Sequence, residues 1–232
     1  MKVSVIIPVL DEEDAIAKVI ADIPKRVRNE ATVQEIIVVD NGCTDNTAAI
    51  AKRNGARVIT EPRRGYGYAC LAGITALETK PPDIVVFLDG DYSDYPADMP
   101  RLLQPICNGE AVLVIGARTQ GDAKEALLPQ ARFGNWLACF LIHHFFGVRY
   151  TDLGPFRAIR YADLLALNMQ DKTFGWTVEM QLKAAKLGIA ACEVPVRYRK
   201  RIGTSKITGT FTGTLKAGYK ILTTLIYHRF LA

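Results

Sequence analysis

The sequence predicts an α/β fold: one domain on a mostly parallel central sheet, with helices over both faces. Three observations carry this. Uniformly apolar runs of strand length recur through the first half, helix-like stretches separate them, and acidic turns follow three of the runs. Strands buried between two helical layers need apolar residues on both faces, which these runs supply.

Residues 3–9 form the first run, and Asp11 stands where it can cap a following helix, with Asp14 three residues on. Residues 36–39 form a second buried strand ending at Asp40-Asn41-Gly42. Thr44-Asp45-Asn46-Thr47 then opens a helix that reaches Arg53 and is closed by Asn54-Gly55. Residues 57–60, 84–88 and 111–116 supply the third, fourth and fifth strands. The second half is less regular. Residues 132–146 read as an aromatic-rich helix, 154–159 as a strand, and 176–187 as a helix closed by Gly188. Residues 189–196 read as a strand leading into the basic stretch 197–206, and the tail, 210–227, as a helix with an apolar stripe.

At 232 residues and 49% hydrophobic content, the chain fits a single domain spanning 1–232. Pro and Gly are spread rather than gathered into a linker, and no internal repeat is visible. The net charge of +5 conceals an asymmetry: residues 1–100 carry 11 Lys/Arg against 16 Asp/Glu, and residues 101–232 carry 18 against 8. Acidic groups suit a metal, and basic groups suit phosphates or an anionic membrane surface; an uneven solvated surface gives the same count. Five scattered cysteines without Cys-x-x-Cys spacing argue against a zinc site or a disulfide framework and for a reducing, cytoplasmic compartment. The apolar N-terminus contains Pro8 and runs into Asp11-Glu12-Glu13-Asp14, so it reads as a buried strand and not a signal peptide. The nearest approach to a membrane span, 133–148, is too short and contains His143 and His144. The chain is therefore expected to be soluble or peripheral.

In such sheets ligands bind beyond the carboxyl ends of the strands. There the sequence places Asp11-Glu12, Asp40-Asn41-Gly42 and Asp89-Gly90-Asp91, three acidic turns that should converge on one edge. Asp89 and Asp91, two apart at a strand end, project to one side and can share a hard cation such as Mg2+ or Mn2+. Such a metal neutralises charge on a departing diphosphate. With 14 Asp in the chain, about one Asp-x-Asp arises by chance. A capped turn has the same residues, so the neighbouring motifs must decide.

Those motifs are Val5-Ile6-Ile7-Pro8-Val9-Leu10-Asp11-Glu12, Val38-Val39-Asp40-Asn41-Gly42-Cys43-Thr44-Asp45-Asn46-Thr47 and Phe87-Leu88-Asp89-Gly90-Asp91. Later come Thr151-Asp152-Leu153-Gly154-Pro155-Phe156-Arg157, Glu193-Val194-Pro195-Val196-Arg197-Tyr198-Arg199 and Gly203-Thr204-Ser205-Lys206. This ordered set resembles family 2 glycosyltransferases, in the branch containing dolichyl-phosphate mannose and glucose synthases. The resemblance runs from residue 3 to about 209.

The resemblance implies a GT-A, Rossmann-like domain with a basic C-terminal extension. It implies an inverting, metal-dependent transfer of a hexose from a GDP- or UDP-sugar to a polyprenyl or dolichyl phosphate. Residues 1–117 would form the nucleotide-sugar and metal half, 118–209 the acceptor half, and 210–232 a C-terminal helix. Pro8, Glu12 and Asp40 would hold the nucleoside, and Asp89 and Asp91 the metal. Arg118, Arg132, Arg199, Arg201, Ser205 and Lys206 would bind acceptor phosphate, and Asp152 would lie near the acceptor. The alternative is a hydroxyl acceptor with Asp152 as general base.

Arg63-Arg64-Gly65-Tyr66-Gly67-Tyr68 matches a glycine-rich stretch of the family, with arginines suited to phosphate or sugar oxygens, but its spacing is not a dinucleotide fingerprint. The three histidines, His143, His144 and His228, fall in no site motif. An anionic phosphate acceptor needs no base to take its proton, so few histidines and many late arginines suit it. Aromatic residues 133–146 and the tail 219–227 suit either a peripheral membrane contact or core. Two further classes fit the sequence less well. A sugar-phosphate nucleotidyltransferase needs a Gly-rich, Arg-containing loop where Leu10-Asp11-Glu12-Glu13 stands, and Asp89, Asp91 and Asp152 count against a non-catalytic binding module. No nucleic-acid-binding module supports the basic segment.

Overall fold

The computed structural model describes residues 1–27, 30–121, 123–203 and 211–230. In chain order the elements are β1 (Lys2–Val9), α1 (Ile16–Asp22), β2 (Arg26–Val27), β3 (Ala31–Asp40), α2 (Thr47–Arg53), β4 (Arg57–Thr60), α3 (Tyr66–Ala76) and β5 (Ile84–Phe87). There follow α4 (Met99–Cys107), β6 (Leu113–Gly121), α5 (Ala123–Ala126), α6 (Pro129–Phe146), β7 (Arg157–Arg160), α7 (Tyr161–Ala166), α8 (Trp176–Lys186), β8 (Ala191–Tyr198) and α9 (Phe211–Phe230).

All the strands join one sheet in the order β2-β3-β1-β5-β7-β6-β8, with β4 also pairing β3. Along β1 the side chains alternate between faces as the pleat requires. Val3, Val5, Ile7 and Val9 pack with α1 and α4 residues such as Ile16 and Leu102. Ile6 packs on the other face with Ala69 and Cys70 of α3 and Trp176 of α8. Both faces are thus covered, as expected.

The sheet is parallel across β4-β3-β1-β5 and again between β6 and β8, but β7 runs antiparallel to both neighbours. The reversal has a plain cause. After β6 the chain returns through α6 to the edge where β6 ended, with Asp152 beside Arg118, so β7 must run back from that edge.

One expectation fails locally. Asp11 does not cap α1: it has a φ of 54°, and its Oδ1 accepts from the Thr44 N–H at 2.7 Å. The first helical turn instead uses the Glu12 carbonyl, which accepts from Ile16 N–H at 2.9 Å. Helix α3, unread from the sequence, lacks an apolar stripe because it packs through small residues. A Cβ on Gly73 would lie 2.6 Å from Ile6 Cγ2 of β1. No helix among the described residues is long and apolar enough to cross a membrane.

Candidate active site

The three acidic turns do converge. Val9 pairs with Asp40 and Ile6 with Phe87, so the carboxyl ends of β1, β3 and β5 share one edge. A cavity of about 280 Å³ opens there, lined among others by Pro8, Glu12, Tyr66, Asp89, Asp91 and Arg201. Gly90 lets this turn fold close over β1, since a Cβ there would meet Val9 Cγ1 at 2.6 Å.

Asp89 and Asp91 differ in their surroundings. Asp89 accepts from the Tyr66 hydroxyl at 3.1 Å, and burial, reinforced by the nearby Asp91 charge, pushes its carboxyl up to about 7. Asp91 accepts from Ser93 N–H at 2.9 Å and Ser93 Oγ at 2.6 Å through Oδ1, while Oδ2 faces Arg201 Nη1 at 3.1 Å. Arg201 Nη2 reaches Glu12 Oε1 at 2.5 Å, so one guanidinium joins two carboxylates from different strand ends. Asp40 Oδ1 accepts from the N–H groups of Gly42 and Cys43 at 3.1 and 2.8 Å, a turn-forming role, and Asp40 itself is not among the residues lining the cavity, where its neighbour Asn41 stands.

Asp94 is a residue that motif reading passed over. It is 1% exposed, and neither carboxyl oxygen has a hydrogen-bond partner among the described residues. Burial, then the charges of Asp89 and Asp91, push its carboxyl well above the usual range. The signal was present as a third acid three residues after Asp91.

A second cavity, about 520 Å³, is lined by Arg118, Arg132, Phe133, Asn135, Trp136, Thr151 and Asp152 among others. At its floor Asp152 accepts from Arg118 N–H at 2.8 Å, Nε at 2.8 Å and Nη2 at 2.5 Å. Burial works against the Arg118 charge, yet Asp152 holds this guanidinium above its usual range. The Asp152 loop is itself fixed on several sides. Glu193 accepts from Thr151 and Asp152 N–H at 2.9 Å, and Asn135 accepts from Leu153 N–H at 2.8 Å. Arg157, fully buried, donates to the carbonyls of Leu153, Gly154 and Thr177. Burial pulls its guanidinium down to about 10, against the opposing charge of nearby Asp152.

The basic segment after β8 divides. Arg197 pairs with Asp98 at 2.7 Å. Arg199 lies over the rings of Tyr92 and Tyr95, 3.3 and 4.0 Å from their centroids, and donates to the Tyr92 carbonyl at 2.6 Å. Arg201 enters the first cavity. The structure therefore brings Arg118, Arg132 and Asp152 together but leaves Arg199 and Arg201 away from their cavity lining. Ser205 and Lys206 lie outside the described residues.

In the Arg63–Tyr68 stretch the glycines serve the chain itself. A Cβ on Gly67 would overlap the Asp171 carbonyl, and the N–H groups of Gly67 and Tyr68 donate to the carbonyls of Thr173 and Lys172. Asp11, Cys43 and Asp45 also cluster, within 4.8 Å. Their oxygens are engaged by Thr44 and Thr47, and burial pushes the Cys43 thiol up to about 12, so it stays protonated.

Comparison with known proteins fits this geometry. The model of the family "Glycosyl transferase family 2" matches residues 4–165. An uncharacterized glycosyltransferase of Mycobacterium tuberculosis is 35% identical over 93% of this chain and 94% of its own length. A dolichyl-phosphate hexose transferase of Haloferax volcanii is 31% identical, covering 97% of this chain and 95% of that protein. Glucosyl-3-phosphoglycerate synthase of M. tuberculosis shares the fold, with a TM-score of 0.78 at 24% identity over 100% of this chain and 79% of that one. In its complex with Mn2+, UDP-glucose and phosphoglyceric acid the TM-score is 0.74 at 25% identity, covering 98% and 79%. The strand-end carboxylates, the GT-A-type sheet and these matches agree: the chain belongs to glycosyl transferase family 2 and is a glycosyltransferase.

Proposed function

We propose that this enzyme moves a hexose, with inversion, from a GDP- or UDP-sugar to a polyprenyl or dolichyl phosphate. The observation that carries the reading is the second cavity, where the cations Arg118 and Arg132 stand beside the aromatic walls Phe133 and Trp136. A phosphate head joined to an apolar tail asks for that pairing of charge and apolar surface. The first cavity takes the donor, with Pro8, Glu12 and Asp40 on the nucleoside side.

Asp89 and Asp91 offer hard oxygen ligands suited to Mg2+ or Mn2+, and Arg201 already sets a cation against Asp91. A divalent cation held there supplies Lewis-acid stabilisation of the leaving diphosphate. Orientation falls to the chain. Arg118, kept in place by Asp152, points a fixed fork at the acceptor anion, and the phosphate oxygen attacks without surrendering a proton. On this reading residues 1–117 supply most of the donor site, completed by Thr173, Phe174 and Arg201, while Arg118, Arg132 and Asp152 serve the acceptor. Exposed Phe133, Trp136 and Phe140 on α6, and Tyr219, Leu222, Ile226 and Tyr227 on the adjoining α9, suit peripheral contact with the bilayer carrying that acceptor.

A second reading is a small hydroxyl acceptor. The structural neighbour's complex with phosphoglyceric acid favours it. In that case the acceptor's own anion takes Arg118 and frees Asp152 to act as general base. The test is incubation with Mn2+, labelled nucleotide-sugars, and either a short polyprenyl phosphate or phosphoglyceric acid. Label extracted into organic solvent with the lipid supports the first reading; label on phosphoglyceric acid selects the second; free sugar alone sinks both.

A further inference from the structure

The geometry points to Arg201 as a tethered counter-cation of the donor site. It stands between Asp91 and Glu12 until a divalent metal and a nucleoside diphosphate together displace it. This rests on the donor-site reading above and adds an order of events: metal and nucleotide bind cooperatively because one arginine must change partners.

Arg201 Nη1 lies 3.1 Å from Asp91 Oδ2, and Nη2 lies 2.5 Å from Glu12 Oε1, with both carboxylate side chains only 10% exposed. Two such carboxylates facing one cavity repel each other, and a guanidinium between them removes that cost. The seat does not suit arginine fully. Its Nε is buried and has no hydrogen-bond partner among the described residues, so part of the group's desolvation goes unanswered. A cation held on two of its three faces is well placed to exchange.

The flanks of the segment are fixed independently of the Arg201 ion pairs. Arg199 is clamped between Tyr92 and Tyr95, and Ile202 N–H donates to the Asp91 carbonyl at 3.0 Å. The backbone thus keeps Arg201 at the cavity whichever partner it holds. A metal on Asp91 and a guanidinium 3.1 Å from the same oxygen repel one another. A diphosphate entering the cavity offers the arginine a bidentate anion in exchange. Asp91 passes to the metal, Arg201 to the phosphates, and each ligand raises the affinity for the other.

The experiment measures Mn2+ binding by titration calorimetry on the full chain, alone and with UDP or GDP. It compares the parent with Arg201→Gln, Arg201→Lys and Lys200→Gln. Lys200 is the exposed neighbour in sequence and carries the same charge, so Lys200→Gln controls for simple loss of a cation. Without nucleotide, Arg201→Gln should bind Mn2+ about tenfold more tightly than the parent, on the order of 1.4 kcal/mol. Nucleotide should then improve its metal affinity less than it does in the parent. Arg201→Lys should behave like the parent, and Lys200→Gln should stay within about twofold of it. Thermal melts confirm that each variant is folded. If Arg201→Gln binds no tighter than Lys200→Gln while the parent binds Mn2+ with nucleotide, Arg201 is only a structural ion pair and the inference falls. If the parent binds no Mn2+ with either nucleotide, the donor-site reading falls, and the inference with it.

Discussion

Replacing Asp152 by Asn should lower the melting temperature of the ligand-free protein, before any substrate is involved. The carboxylate accepts three hydrogen bonds from Arg118, and the two side chains are 13% and 7% exposed. Asn keeps the size and one acceptor oxygen, which can still serve the Arg118 N–H, but leaves a buried guanidinium without a counter-charge. Breaking a buried pair from one side costs about 3–5 kcal/mol, and the surviving backbone bond places this change near ~3 kcal/mol. For a domain of this length each kcal/mol moves the midpoint by about 2–4 °C, giving a fall of roughly 6–12 °C. Differential scanning calorimetry of Asp152→Asn, Arg118→Met and the pair Arg118→Met with Asp152→Leu measures it. The double variant should recover most of the loss, because an apolar pair needs no counter-charge. An Asp152→Asn midpoint within about 2 °C of the parent would refute the reasoning: the pair would not persist in solution, and Asp152 would stand open as a base.

Three further outcomes are expected. Asp91→Asn should cut nucleotide-sugar turnover at least about a hundredfold, on the order of 3 kcal/mol, while the far-UV circular dichroism stays that of the parent; full turnover in the presence of a chelator would remove the metal from the mechanism. Burial and the Asp89 and Asp91 charges raise the Asp94 carboxyl in the folded protein, so it keeps its proton to higher pH than in the unfolded chain and its contribution to stability is lost as pH rises past the ordinary carboxyl range. The stability of Asp94→Asn relative to the parent should therefore rise as pH climbs from about 3 through about 5, as denaturant titrations at each pH would show. Gly67→Ala should lose about 1–3 kcal/mol and weaken UDP binding, since its Cβ meets the Asp171 carbonyl and shifts the segment whose Thr173 and Phe174 line the donor cavity; unchanged melting and binding would show that the segment yields freely.

Strands β1, β3 and β5 were legible because each carries an apolar run that ends in a polar turn, the last read as 84–88 and found at Ile84–Phe87; the two-residue β2, Arg26–Val27, left no such run to read. The convergence of Asp11, Asp40 and Asp89 was legible too, since it follows from parallel strands alone. The reversal of β7 was not, because its residues, Arg157–Arg160, carry no mark of direction; that comes from where α6 returns the chain. Helix α4 was hidden by Pro100 and Pro105, and α3 by glycines chosen for close packing. In the site, motif reading placed Asp152 near the acceptor but could not show Arg118 locked on it. It also grouped Arg199 and Arg201 as phosphate ligands, whereas tyrosine rings hold one and donor-site carboxylates the other. Those partners lie about a hundred residues or more away in sequence, beyond the reach of any local pattern.

The antiparallel β7 also sets an order on folding during synthesis. Residues 1–88 contain every strand of the β4-β3-β1-β5 portion, so this part can pair as soon as it emerges. Strand β6 has no such opportunity. Its neighbours are β7 and β8, which begin at Arg157 and Ala191, so Leu113-Val114-Ile115 waits with both edges open. Until β7 arrives, the nascent chain carries an apolar, unpaired strand beside the open outer edge of β5, two exposed edges of the kind that invite mispairing. The carboxylates at the ends of β1, β3 and β5 are thus brought together early, while the Arg118–Asp152 side is built only when the last third of the chain has arrived.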